Sequence, residues 1–195
     1  MATKGEQTRE KILNQAAQVF NRQGFRATTI NDLIEAAGTT KGNLYFHFSG
    51  KEEVGLEVLR REKEAFLKFL DAALKGDTPG AGLDNFFRSA YEKHHSRDFV
   101  GGCPFGNTAL EASDTAPVFA ELVAGVFDEW IGKIQNKIAE AQEAGQVRGD
   151  LPAQDLAELV VATVEGGIMQ ARLQKVEGPM SRALATLRVL LDLKV

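Results

Sequence analysis

Apolar residues recur at helical spacing along almost the whole chain, and strict two-residue alternation is nowhere sustained, so the pattern predicts an all-α protein of about nine helices. The first helix runs from about Gln7 to Gln23 on a stripe of Ile12, Ala16, Val19 and Phe20, and Gly24 stops it. Two short helices follow, then a long one from just after Ser49 past Leu59, Phe66 and Leu70 to about Lys75. Asp77, Pro79, Gly80 and Gly82 read as a break before an amphipathic helix over Leu83 to His94. Gly101-Gly102-Cys103-Pro104 reads as a second break, leading to a short helix near Asn107 to Ala112. Pro117 suits the first turn of a long helix through Val126, Trp130 and Ile134 to about Ala144. The last two helices, Gln154 to Val176 and Met180 to Leu193, carry apolar stripes wider than one packed face needs. They suit either the core of a monomer or a four-helix bundle with the same pair of a second chain. Gly166 and Gly167 cost helix stability mid-helix, which points to close backbone approach by a partner helix or a ligand.

The segment from Thr28 to Glu53 carries the sharpest local signals. Thr29 is placed to cap a helix starting at Ile30, with Asp32 as the returning acid of a capping box. Leu33, Ala36 and Ala37 form its buried stripe, and Gly38 falls where a left-handed residue ends it. Thr39 and Thr40 open a second short helix, Lys41 to Phe48, with Leu44 and Phe48 inward and Lys41, Asn43 and His47 outward. Ser49 and Glu52 then read as a capping box for the long helix. Short helix, glycine turn, polar short helix is the layout of a helix-turn-helix, whose second helix enters a major groove.

Thr29, Ala37, Gly38, Gly42, Leu44, Tyr45, His47, Phe48, Lys51 and Glu52 fall in order on the pattern of the TetR/AcrR DNA-binding domain, and the segment resembles that family. Thr39 stands where a small apolar residue is usual and Gly50 where serine is usual; neither removes a group needed at DNA. The resemblance implies an all-α fold with a three-helix DNA-binding domain over residues 1–50 and a helical ligand-binding and dimerisation domain over 51–195. It implies a homodimeric transcriptional regulator, expected to be a repressor, that a small-molecule effector releases from a double-stranded DNA operator. The DNA-contacting residues implied are Thr28, Thr29, Thr39, Thr40, Lys41, Asn43, Tyr45, His47 and Lys51. Hydroxyls, an amide and ammonium groups suit base edges and phosphate oxygens. Phe86, Phe87, Tyr91, Cys103, Phe105, Phe127, Trp130 and Met169 are candidates for the effector site, most of them as the lining of an apolar pocket.

Charge agrees once it is divided along the chain. The net charge is −4, but residues 1–61 hold nine Lys/Arg against seven Asp/Glu, and the remainder fourteen against twenty. A weakly basic N-terminal part on an acidic body leaves specificity to the reading helix rather than to bulk attraction. No apolar run reaches a membrane span and the N-terminus has no signal-peptide pattern, so a cytoplasmic location without membrane attachment is expected. Cys103 is the one cysteine, which excludes an internal disulfide.

The run Gly102 to Asn107 is similar to an element of one branch of the family, in some members of which the cysteine reacts with electrophiles or oxidants. An accessible thiol ahead of a helix N-terminus favours thiolate, whereas burial by Phe99 and Phe105 makes Cys103 a small inert hydrophobe. Electrophile or redox sensing through Cys103 is therefore the alternative to a non-covalent effector. No phosphate loop, dinucleotide fingerprint or paired-histidine metal motif occurs, and no enzyme activity, metal or cofactor is expected.

Overall fold

The computed structural model describes residues 3–195. Among them are nine helices and no strand: α1 (Lys4–Gln23), α2 (Ile30–Ala37), α3 (Lys41–His47), α4 (Lys51–Ala73), α5 (Pro79–His95), α6 (Pro104–Ala112), α7 (Pro117–Glu143), α8 (Ala153–Gln174) and α9 (Gly178–Leu190). No helix of the described residues is long and apolar enough to cross a membrane. The packing forms two compact units that alternate along the chain. The first holds residues 1–64 and 104–123, the second 65–103 and 124–195. A single cut at residue 50, as the sequence suggests, places 51–64 and 104–123 differently.

The first unit is built on Ile12, Leu13 and Ala16 of α1, Leu33 and Ala37 of α2, Leu44 of α3, Phe48, and Val54 and Val58 of α4. A helix of seven residues is too short to be stable alone in water, so α3 depends on this core. Leu44 and Phe48, one turn apart, supply the anchor. Arg9 of α1 pairs with Glu57 of α4 at 2.7 Å, and Arg61 with Glu10, fixing α1 and α4 side by side. Residues from later in the chain join this unit. Phe119 packs against Phe25 with ring centroids 4.7 Å apart, and the Arg26 backbone N–H donates to Glu111 at 3.0 Å. Gly55 lies under those two rings: a Cβ there would meet Phe25 at 2.6 Å and Phe119 at 3.1 Å.

In the second unit α8 and α9 pack closely. A Cβ on Gly167 would stand 3.3 Å from the Met180 Cα, so the close approach expected here is to α9 of the same chain; nothing lies within 4 Å of a Cβ on Gly166. Leu83, Phe86 and Phe87 of α5, Trp130 and Ile134 of α7, Val160 and Val164 of α8, and Leu184 and Leu187 of α9 are buried. Arg188 joins Asp84 at 2.6 Å, tying α9 to α5.

Three local expectations are corrected. The break at Pro79 to Gly82 is the start of α5: Thr78 caps it, accepting from the Ala81 N–H, and Pro79 sits in its first turn, where a missing N–H costs nothing. Its glycines are there for packing, since a Cβ on Gly80 would stand 2.2 Å from the Lys194 carbonyl. The acid serving Ser49 is Glu53, not Glu52; because α4 starts at Lys51, the third helical position is 53, and its carboxylate accepts from the Ser49 N–H at 2.6 Å. Finally, α1 begins at Lys4 rather than near Gln7, nucleated by a capping box of Thr3 and Glu6.

Candidate nucleic-acid interface

Residues 29–48 place a short polar helix on the surface of the first unit. Thr29 caps α2: its hydroxyl accepts from the Asp32 N–H at 3.2 Å, while the Asp32 carboxylate accepts from the Thr29 N–H at 2.7 Å. Those hydrogen bonds hold the Asp32 carboxyl below its ordinary range, first through the Thr29 backbone and then its hydroxyl. Gly38 ends α2 with φ +54°, a left-handed conformation that costs glycine nothing and that other L-residues rarely adopt. Thr40 then caps α3, accepting from the Asn43 N–H at 3.2 Å.

With Leu44 turned into the core, Lys41, Gly42, Asn43, Tyr45 and Phe46 are exposed, and His47 is half-buried. Lys41 lies over the Tyr45 ring, its Nζ 5.9 Å from the centroid. Phe46 is 82% exposed and meets His47 edge-on, with ring centroids 5.0 Å apart. An exposed phenyl beside an ammonium, an amide and a phenol gives this face both polar groups for base edges and phosphates and an apolar surface for a thymine methyl. Phe46 is absent from the sequence-based set. Its signal was there, an aromatic residue off the Leu44/Phe48 stripe of a surface helix.

Other residues of that set have different surroundings. Thr28 is buried, its hydroxyl donating to the Gly24 carbonyl at 2.7 Å. Lys51 folds its Nζ onto the α1–α2 connection, donating to the carbonyls of Phe25 at 3.0 Å and Thr28 at 2.9 Å, over the Phe25 ring. Both hold the loop ahead of α2. Thr29 and Thr40 are exposed caps, and Thr39 is half-buried.

The aromatic candidates of the second unit divide. Phe86 and Phe87 are fully buried neighbours, and Trp130 meets Phe66 edge-on at 5.0 Å and stacks with Phe127 at 5.9 Å. Tyr91 donates its hydroxyl to Glu177 at 2.6 Å, beside His95 and Phe99. Met169 is 56% exposed on α8, and Phe105 is buried in the first unit. Cys103 follows Gly101 and Gly102, which have φ of +87° and +70°. Of the two alternatives for Cys103 it is the buried one that the structure has: the thiol is 8% exposed and hydrogen-bonds Glu165 of α8.

A capped two-helix turn that presents a short polar helix, rigidly anchored by its apolar side, defines a helix-turn-helix DNA-binding protein. Residues 12–58 match the bacterial regulatory proteins of the tetR family, and residues 79–187 the tetracyclin repressor-like C-terminal domain. The chain belongs to the TetR family of transcriptional regulators, which are not enzymes. Among curated relatives, the transcriptional repressor DhaR of Mycobacterium sp. strain GP1 is 28% identical over 178 residues, 90% of this chain and 88% of that protein. A TetR transcriptional regulator from Chloroflexus aurantiacus J-10-FL is 34% identical with a TM-score of 0.87, covering 95% of this chain and 94% of that one. The regulatory protein TetR from Rhodobacter sphaeroides is 26% identical with the same TM-score, 0.87, covering 93% and 97%.

Proposed function

We propose that this regulator is a repressor that grips its operator as a homodimer, with α3 of each copy in a major groove, and that a small apolar effector held by the second unit releases it. The observation that carries this reading is α3 itself. Lys41, Asn43, Tyr45 and Phe46 face outward from a helix whose other side is locked into a core by Leu44 and Phe48. Thr39, Thr40 and His47 flank that face. The repressing sign follows the relative named a repressor. A regulator of this kind acts on chromosomal DNA, so the cytoplasm is its proposed location.

The effector site is assigned to the aromatic group of Phe86, Phe127 and Trp130 in the second unit. A ligand there acts by binding the DNA-incompetent state more tightly than the competent one. Sensing through Cys103 is less well supported, since its thiol is buried.

The test is retention of a duplex taken from upstream of the protein's own coding region. The reading expects binding that falls steeply with salt and that prefers this duplex over a scrambled one at about 0.15 M salt. Equal retention of both duplexes at every salt concentration contradicts it.

A further inference from the structure

We propose that Glu165 anchors an effector subsite in the second unit, where it recognises the protonated amine of an otherwise apolar small molecule. This rests on the reading of the protein as an effector-released regulator and gives that effector a chemistry. Glu165 lies mid-way along α8 with Val161 and Ile168, both buried, one turn before and after it on the same side. Its Oε1 is buried and has no hydrogen-bond partner among the described residues. The other interaction at this carboxyl is a hydrogen bond from the Cys103 thiol, a weak donor. Burial pushes the Glu165 pKa up, and the Cys103 bond opposes it.

A carboxyl that serves only the fold is paired or fully hydrogen-bonded when buried, because an unserved buried oxygen keeps the full penalty of its lost hydration. A glutamate kept in an apolar stripe with one oxygen unserved has the properties of a receptor for a donor brought from outside. An ammonium brings both the missing N–H and the missing opposite charge, and a charge-assisted bond in a low-dielectric interior is the strong kind. The same unit holds a second unserved group, the Trp130 Nε1–H, which is buried without an acceptor among the described residues. Its ring belongs to the cluster with Phe66, Phe86 and Phe127. The unit therefore offers an acceptor for a cationic head, aromatic surface for an apolar body, and one donor for a further acceptor on the ligand.

The experiment compares 3-phenylpropylamine with 3-phenylpropan-1-ol, which share a skeleton and differ in the head group. Binding to the full chain is followed by calorimetry and by the fluorescence of Trp130, the single tryptophan. The amine is expected to bind at least about tenfold more tightly, the ratio one charge-assisted hydrogen bond supplies. Glu165→Gln, close in shape, should bring the two ligands to parity while the alcohol still binds. Cys103→Ser, which keeps a donor to the carboxyl, should retain the preference. Equal affinity for the two in the wild type, no saturable binding of either, or an amine preference that survives Glu165→Gln overturns the assignment. Loss of folding in Glu165→Gln is detected by circular dichroism, and Glu165→Asp then takes its place, with a reduced preference expected and an unchanged one contradicting. Salt-dependent DNA retention of the wild type is measured alongside. Intact retention with no amine preference removes only the Glu165 assignment, whereas a preference without DNA retention removes the regulator reading.

Discussion

At the scale of single residues, the reading face is defined by what each side chain is free to do. Lys51 and Thr28 spend their polar groups on the loop ahead of α2, whereas Lys41, Asn43, Tyr45 and Phe46 spend little on the protein. Gly42 stands among them without a packing reason, since a Cβ there would have nothing within 4 Å. Glycine costs a helix interior about 0.8–1.0 kcal/mol relative to alanine and less in the first turn, where Gly42 sits, so its presence in α3 still calls for another cause. Close approach of the α3 backbone to DNA supplies one. Gly42→Ala is thus expected to raise the stability of the free protein by about 0.5–1 kcal/mol in denaturant titration and to weaken operator binding. A variant that is stabilised and binds DNA as tightly as the wild type contradicts that cause.

At the scale of helices, α5 shows burial overriding the field of a helix end. His94 lies in its last turn, where the dipole favours a charged imidazole, yet burial lowers its pKa to about 4, with Lys93 and Arg97 adding repulsion. In the unfolded chain the same group titrates near ~6.5. Between those values the unfolded state binds more protons, so stability contributed by neutral His94 is complete above about pH 6.5 and is lost as pH falls toward 4. At roughly 1.4 kcal/mol per pKa unit the loss is at most about 3.5 kcal/mol. Thermal melts from pH 7 to 4 should show it, and His94→Gln should flatten that part of the profile. An unchanged slope in the variant assigns the acid sensitivity elsewhere.

The elements were legible where a cap and a stripe coincide. Thr29, Asp32 and Gly38 bounded α2 correctly, and Thr40 with Leu44 located α3. What was hidden depends on tertiary contact. Pro79 and Gly80 look like a break until the Lys194 carbonyl, from the far end of the chain, is packed against Gly80. The burial of Cys103 and its bond to Glu165 join residues on different elements, which no local pattern encodes. Phe46 lies off the Leu44/Phe48 stripe, but only the folded unit, which leaves it 82% exposed, sets it on the outward face of α3.

At the scale of the whole molecule, α8 and α9 keep apolar groups outside as well as in. Leu173 and Val189 are 79% and 78% exposed, with Leu159 and Met169 also exposed on α8, while Leu187 and Leu191 are fully buried within the chain. The apolar stripe over Met180 to Leu193 suits a core or an interface; the burial of Leu187 and Leu191 makes these two core, and charging them is expected to unfold the protein. The surface a second copy would cover is the exposed set. Leu173→Glu with Val189→Glu should give a folded monomer by analytical ultracentrifugation at micromolar concentration. A dimer that persists places the interface elsewhere.

The central claim is that α3 reads DNA. It is tested most directly by fluorescence anisotropy of the operator duplex and a scrambled duplex against wild type, Lys41→Ala/Tyr45→Phe and Phe46→Ala. If the claim holds, Phe46→Ala loses about 1–3 kcal/mol on the operator and less on the scrambled duplex, and the double variant binds both more weakly with a shallower salt slope. Wild-type affinity and salt dependence in both variants would contradict it and remove α3 from the groove.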